Sequence, residues 1–297
     1  MNPRYFLLTI FLGFSASVFS QFKTIKIDDA EINYIDRGSG EPIVFVHGGL
    51  EDYRTWDPQI DSFSKKYRVI AYSRRFNYPN QNTKELKNFS AQTEANDLAK
   101  LIIQLKLSPV HLVGHSFGGL VSLFLAKDNP QLVRSLTLSE PPIISWLPGL
   151  VGGKKLYDDF HKNLLKPLKK DFKQRDTIAV LRHTLIYFAG ADVTEELPNE
   201  IRVQLIVNFP EWRAIAFSPN AFPPITKQAV QSLKMPILLL SGGKTLPLLK
   251  LTNAELKRLL PNATYFNLAE GTHDYWFTHP KQMGGALMSF LQSVSAN

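Results

Sequence analysis

The stretch Val110-His111-Leu112-Val113-Gly114-His115-Ser116-Phe117-Gly118-Gly119 decides the fold. An apolar run stops on Gly-x-Ser-x-Gly and resumes as the amphipathic segment Leu120 to Lys127, which predicts a strand, a sharp turn carrying Ser116, and a helix. A serine hydroxyl is a poor nucleophile at neutral pH. It has to be presented at an exposed, strained turn where a histidine can take its proton. Gly114 and Gly118 suit such a turn, because a side chain at either position would collide with the neighbouring strand or helix as the backbone reverses. Gly-x-Ser-x-Gly also arises by chance in Gly-rich loops, so the β-rich run before it and the helix after it are what single this one out.

Working outward, strands are expected at about 23 to 28, 31 to 36, 42 to 47, 68 to 72, 109 to 115, 134 to 140, 235 to 241 and 264 to 269. Asp28-Asp29-Ala30 joins the first two as a hairpin. Ile43-Val44-Phe45-Val46, Val110 to Val113 and Ile237 to Leu240 are continuously apolar, as parallel strands buried on both faces should be. Helices are expected at about 91 to 106, 117 to 127, 252 to 260 and 281 to 293, the third opening on the capping-box spacing of Thr252 and Glu255. Strands alternating with helices indicate an α/β sheet.

From about Pro142 to Val230 the alternation breaks. Leu156, Phe160, Leu164, Leu168 and Phe172 recur at helical spacing, and Ile178 to Phe188 and Ile201 to Phe209 are further helical segments. Most of these apolar stripes are packing, and the remainder would line a pocket. Pro167 should end or kink the first helix, and the Pro-rich Phe217 to Ile225 should return the chain to the sheet. The expected organisation is a core from 21 to 141, a helical cap from 142 to 230, and the rest of the core from 231 to 297.

The 297 residues are 44% hydrophobic, enough to bury a large core and incompatible with disorder. The net charge of +8 is dispersed except in Lys154 to Lys173, which reads as a solvated helical face, and no basic and aromatic interleaving for nucleic acid occurs. Residues 1 to 20 have the shape of a secretory signal peptide: Arg4, the apolar block Phe6 to Phe14, then small and polar residues before Gln21. The block is too short to span a bilayer, so no stable membrane anchor is expected after cleavage; an uncleaved anchor is the alternative. There is no cysteine, which excludes disulfides and a cysteine-linked lipid. No metal is expected, for want of cysteine or of a His-x-x-x-His pair on a helix, and no nucleotide cofactor, for want of a Gly-rich fingerprint after the first parallel strand.

With the elbow, an upstream His47-Gly48-Gly49 after a strand and a downstream Gly271-Thr272-His273 after the last strand, the chain resembles an α/β-hydrolase across its mature length. The resemblance implies a mostly parallel eight-stranded sheet flanked by helices. It also implies an oxyanion hole built from two backbone N–H groups, which maps onto Gly49 and Phe117. Of seven histidines, His161 and His183 fall in the cap and His279 precedes Pro280 in a turn, which leaves His273 after the last strand in the Ser, acid, His order of this fold. His115 is expected to point away from the nucleophile, His47 to be structural, and His111 to lie on a buried strand.

The acid departs from the family pattern. Thr245 stands where an Asp is usual, and no Asp or Glu occurs from Ile237 until Glu255. Some members place the acid one strand earlier, where this chain has Ser139-Glu140-Pro141-Pro142, so Glu140 is the candidate. Asp274 adjoins the base, but neighbouring side chains diverge. Arg75, in a variant loop from Ser73 to Asn80, suits either an acidic substrate group or a structural salt bridge. The expected activity is cofactor-free hydrolysis of an ester, thioester or lactone of a small to medium, largely apolar substrate through an acyl-enzyme. Carbon–carbon hydrolysis or perhydrolysis on the same triad, and ligand binding without turnover, are the alternatives.

Overall fold

The apolar runs become the strands of one sheet in the computed structural model, which describes residues 22–82 and 89–295. The expected signal segment lies outside the described residues. The strands are β1 (Lys23–Ile27), β2 (Ala30–Arg37), β3 (Pro42–Val46), β4 (Arg68–Tyr72), β5 (Val110–His115), β6 (Val133–Ser139), β7 (Ile237–Gly242) and β8 (Thr264–Leu268). Their order is β1-β2-β4-β3-β5-β6-β7-β8. β2 runs antiparallel to both neighbours, and the pairs from β4 through β8 are parallel. This is the expected architecture, with strand ends within about two residues of their expected positions.

The helices are α1 (Asp57–Phe63), α2 (Ala91–Gln104), α3 (Ser116–Asp128), α4 (Gly153–Asp159), α5 (Lys166–Gln174), α6 (Thr177–Ala189), α7 (Asn199–Val207), α8 (Phe209–Phe217), α9 (Lys227–Gln231), α10 (Pro247–Leu259), α11 (Tyr275–Thr278) and α12 (Pro280–Ser295). Alternation along the strands divides the core in two. Val44, Val46, Leu112, Leu136 and Leu239 face the layer containing Leu98, Leu120 and Phe124 of α2 and α3. Ile43, Phe45, Val113, Leu238 and Leu240 face Ile60 and Phe63 of α1 and Leu287 and Leu291 of α12. Both faces are therefore dry, which is why these strands read as unbroken apolar runs rather than alternating ones.

Between β6 and β7 the regular structure is helical. Phe160, Leu164 and Leu168 are buried and the lysines from 154 to 173 are exposed, so the apolar stripe is packing and the basic cluster is a solvated face. Three local expectations need correction. The chain does not leave the helix at Pro167: a π-helical stretch over Phe160–Leu165, whose last turn is closed by the Lys166 N–H bonding to the His161 carbonyl, leads into α5, in which Pro167 is the second residue. The segment expected from Ile201 to Phe209 is two helices, divided at Asn208, with Pro210 opening the second. Finally, α10 starts at Pro247, so Thr252 and Glu255 form no capping box; Thr252 bonds back to the Leu249 carbonyl and Glu255 pairs with Arg258 and Lys227.

Candidate active site

Ser116, Glu140, His273 and the turn of Gly49 lie past the carboxyl ends of parallel strands, where the loops of an α/β sheet converge. β5 delivers Ser116, the residue after its last strand position and the first of α3. Ser116 adopts φ +50°, a left-handed conformation that a non-glycine residue holds only when its surroundings impose it. The surroundings are tight. A Cβ on Gly114 would sit 2.4 Å from Ser122 Oγ and 2.5 Å from the Gly118 carbonyl oxygen, and one on Gly118 would sit 2.3 Å from the carbonyl oxygens of Val46 and His47. The two glycines let α3 rest directly on β3 and β5.

β6 delivers Glu140, and the loop after β8 delivers His273. His273 Nε2 lies 2.8 Å from Ser116 Oγ, and its Nδ1 lies 2.7 Å from Glu140 Oε2. Glu140 is wholly buried and also holds φ +52°. Its Oε1 accepts from the Gly242 N–H at 2.7 Å and its Oε2 from Thr245 Oγ1 at 2.7 Å. Thr245, at the position where the resemblance led one to look for a carboxylate, thus orients the carboxylate that comes from the neighbouring strand. Asp274 instead accepts from Thr272 Oγ1.

The turn after β3 faces Ser116 from the other side. A Cβ on Gly48 would lie 3.1 Å from Ser116 Cβ, so only glycine fits there without displacement. The Gly48 N–H donates to Glu51 and the Leu50 N–H to Glu211, both to carboxylate Oε2 atoms, at 2.8 and 2.9 Å. The Gly49 N–H between them has no acceptor among the described residues. The Phe117 N–H lies in the first turn of α3, where amides have no intrahelical acceptor and the helix dipole presents its positive end. The two amides expected to form the oxyanion hole, those of Gly49 and Phe117, thus lie in the turn facing Ser116 and in the first turn of the helix that Ser116 opens.

Sequence reasoning missed the residues that hold this turn. Glu211 comes from α8, carries no exposed surface, and accepts from Arg74 Nη2 at 2.5 Å and Asn77 Nδ2 at 3.2 Å in addition to Leu50. Arg74 donates onward to the carbonyl oxygens of His47 and Gly48 and lies 4.9 Å over the Phe117 ring. Trp212, next to Glu211, lies against Gly49, its ring 3.2 Å from where a Cβ would stand. No local pattern marks Glu211, which is 161 residues from Leu50, whose amide it binds; its one signal is that it and Arg213 are the charged residues of a mostly apolar helix.

His115 bonds to Glu51 and to the His273 backbone carbonyl, and not to Ser116. His47 is structural, its Nε2 accepting from the Arg74 N–H, and His111 is buried between Ser135 and Glu41. Arg75 forms the structural alternative, ion pairs with Asp97 and Asp29.

A chain of apolar rings starts beside the elbow: Phe117, the residue after Ser116, is edge-on to Phe222 at 5.4 Å, and Phe222 is edge-on to Phe160 at 5.4 Å. A separate concavity of about 630 Å³ on the exposed face of α5, lined by His161, Lys166, Lys169, Lys170 and Lys173 among others, shares no residue with this site. Among the described residues no group of three His, Cys, Asp or Glu is placed to hold a metal, and no helix is long and apolar enough to cross a membrane.

The chain is similar to the uncharacterised hydrolase YraK of Bacillus subtilis (strain 168), with 27% identity over 142 residues, 47% of this chain and 52% of that protein. It is 30% identical to a soluble epoxide hydrolase of Corynebacterium sp. (strain C12) over 125 residues, 42% of this chain and 41% of that protein. The match thus spans about half the length, or less, of these curated relatives. A solved bromoperoxidase from Bacillus anthracis shares the fold, with 23% identity, a TM-score of 0.73, and coverage of 91% of this chain and 99% of that one. The family model described as alpha/beta hydrolase fold matches residues 41–280, the span that runs from β3 past His273. By that match, and by a sheet whose order and elbow agree with it, the chain belongs to the alpha/beta hydrolase fold family.

Proposed function

We propose that this hydrolase cleaves an ester, thioester or lactone of a small, largely apolar substrate through an acyl-enzyme on Ser116. The observation that carries the reading is the continuous line from Ser116 Oγ through His273 to Glu140, with contacts of 2.8 and 2.7 Å. In the forward step Ser116 Oγ attacks the carbonyl carbon and its proton passes to His273 Nε2. His273 then gives that proton to the leaving alcohol or thiol as the carbonyl re-forms. Water repeats the sequence, releasing the acid and restoring the serine. The tetrahedral intermediates place negative charge on the former carbonyl oxygen, which the N–H groups of Gly49 and Phe117 receive; losing one such donor commonly costs about 100 to 1,000-fold in rate.

A serine at the elbow also bears on the epoxide-hydrolase likeness. Opening an epoxide with an alkoxide forms an ether, which water does not cleave, whereas a carboxylate forms an ester, which it does. Ser116 therefore favours acyl transfer. The aromatic rings of Phe117, Phe160 and Phe222 favour an apolar acyl or alcohol group. Residues 142 to 230 act as the cap in this reading, joined to the core through Glu211 and Trp212. The chain is exported, with a mature terminus at Gln21 or within about two residues of it, which mass spectrometry of the exported protein tests.

The activity is tested with a panel of p-nitrophenyl esters of increasing acyl length together with simple lactones. Turnover that is lost in Ser116→Ala supports the reading. Saturable binding with no turnover by the wild type would assign a ligand-binding protein instead.

A further inference from the structure

A second carboxylate–histidine pair lies directly behind the first. His115 is 1% exposed, and both its ring nitrogens face acceptors: Nδ1 is 3.1 Å from Glu51 Oε1, and Nε2 is 3.0 Å from the carbonyl oxygen of His273. A carbonyl oxygen only accepts, so Nε2 carries a hydrogen. A carboxylate accepting at Nδ1 requires a hydrogen there too, and an imidazole holding both is a cation.

Glu51 is bound on its other side as well. Its Oε2 accepts from the Gly48 N–H at 2.8 Å and Thr55 Oγ1 at 3.2 Å, which are donors to a carboxylate. One connected unit thus runs from the turn that carries Gly49, through Glu51 and His115, to the backbone of the residue proposed as the base. The rings of His115 and His273 lie 4.7 Å apart between centroids.

We infer that Glu51 and the His115 imidazolium are positioning residues that lock the oxyanion turn and the His273 loop into one register. Neither touches the reacting atoms. The pair acts by fixing two loops, after β3 and after β8, against each other across the mouth of β5. This inference rests on the proposed hydrolase reading for its kinetic arm only.

The electrostatic surroundings agree with the geometry. Burial pushes the Glu51 carboxyl up, but the charge and hydrogen bond of His115, with the Gly48 N–H, outweigh it and hold the group down at about 2. Burial likewise opposes a charge on His115, yet the Glu51 charge and hydrogen bond raise it above the ordinary histidine value, and the charge of Glu140 and the His273 carbonyl add to this. His47 also faces the pair as a neutral group, its own protonation suppressed by burial and by Arg74. The Tyr275 ring packs on the remaining side at 5.9 Å.

The first test is histidine side-chain nitrogen NMR on the whole protein at neutral pH, with the His115 signals assigned by their loss in His115→Asn. Both ring nitrogens of His115 should carry hydrogen in the wild type, and a neutral His115 overturns the inference. The second test is kinetic. Glu51→Gln keeps an acceptor for Gly48 but removes the charge, so kcat on an ester substrate should fall by about 10 to 100-fold through misplacement of the two loops. KM should change by less than about threefold, since no substrate contact is lost. Glu51→Asp should restore most of kcat. Unchanged kcat in Glu51→Gln, or a loss confined to KM, overturns the positioning role. If Glu51→Gln does not fold, the NMR measurement alone decides. Failure of the hydrolase reading would leave no ester turnover in the wild type while the protonation state of His115 could still be read, so the two failures are distinguishable.

Discussion

Replacing Glu140 by Gln separates charge from shape at one buried atom. The amide has one orientation open to it, because the Gly242 N–H at 2.7 Å must keep an acceptor, and that places the carbonyl oxygen at the Oε1 position. The NH₂ group then occupies the Oε2 position, facing His273 Nδ1 at 2.7 Å and Thr245 Oγ1 at 2.7 Å. Thr245 can rotate its hydroxyl to accept. His273 can comply only by accepting at Nδ1, which moves its hydrogen to Nε2 and turns an N–H toward Ser116 Oγ where a lone pair is required. In addition, the imidazolium formed during attack loses its counter-charge. Wrong-tautomer changes of this kind in serine triads lower kcat by about 10,000-fold, or about 5.5 kcal/mol in the barrier. The assay is kcat on the best ester found, with circular dichroism and thermal unfolding to establish that the fold is intact. A folded Glu140→Gln that retains more than about a tenth of wild-type kcat would refute the reasoning, because the hydrogen-bond geometry then does not set the tautomer.

Three other outcomes follow from the same contacts. Thr245→Ala removes a donor to a buried carboxylate and should cost about 1.5 to 3 kcal/mol, lowering Tm by several degrees; an unchanged melting curve would mean the bond contributes nothing. Glu211→Ala strands the fully buried Arg74 cation and should cost about 3 to 5 kcal/mol in urea unfolding, a loss that a replacement at an exposed position of α8 would not reproduce. Glu51, ordinarily near 4.5 and held at about 2 in the fold, contributes stability that is fully present above pH 4.5 and drains away as pH falls toward 2. The stability advantage of wild type over Glu51→Gln should therefore shrink by roughly 3 kcal/mol across that window, and an advantage independent of pH would contradict the charge assigned to Glu51.

The sheet was legible because its physics is local. Ile43 to Val46 and Ile237 to Leu240 are buried on both faces, and a run with no polar residue has few other places to go. The elbow was legible because close backbone approach admits only glycine at 114 and 118. The approach of Glu140 to His273 was open to inference because the carboxylates that usually follow β7 are absent and the end of β6 lies next to the end of β7. What remained hidden depends on distant segments meeting. Glu51 and His115 are 64 residues apart, and Glu211 and Leu50 are 161 apart; each residue alone resembles an ordinary loop or helix charge. The start of α10 was misplaced for a different reason. Thr252 and Glu255 have the spacing of a capping box, but Pro247 opens the helix earlier and turns both residues inward to bond with groups that only the folded chain supplies.

The central claim is that Ser116 is a nucleophile activated by His273. Incubation of the whole protein with a fluorophosphonate, followed by peptide mass spectrometry, tests it without any knowledge of the substrate. One phosphonyl group should appear on the peptide that contains Ser116, at a rate greatly reduced in His273→Ala, and none should appear in Ser116→Ala. Equal labelling of wild type and Ser116→Ala, or a wild type that takes up no label, would contradict it.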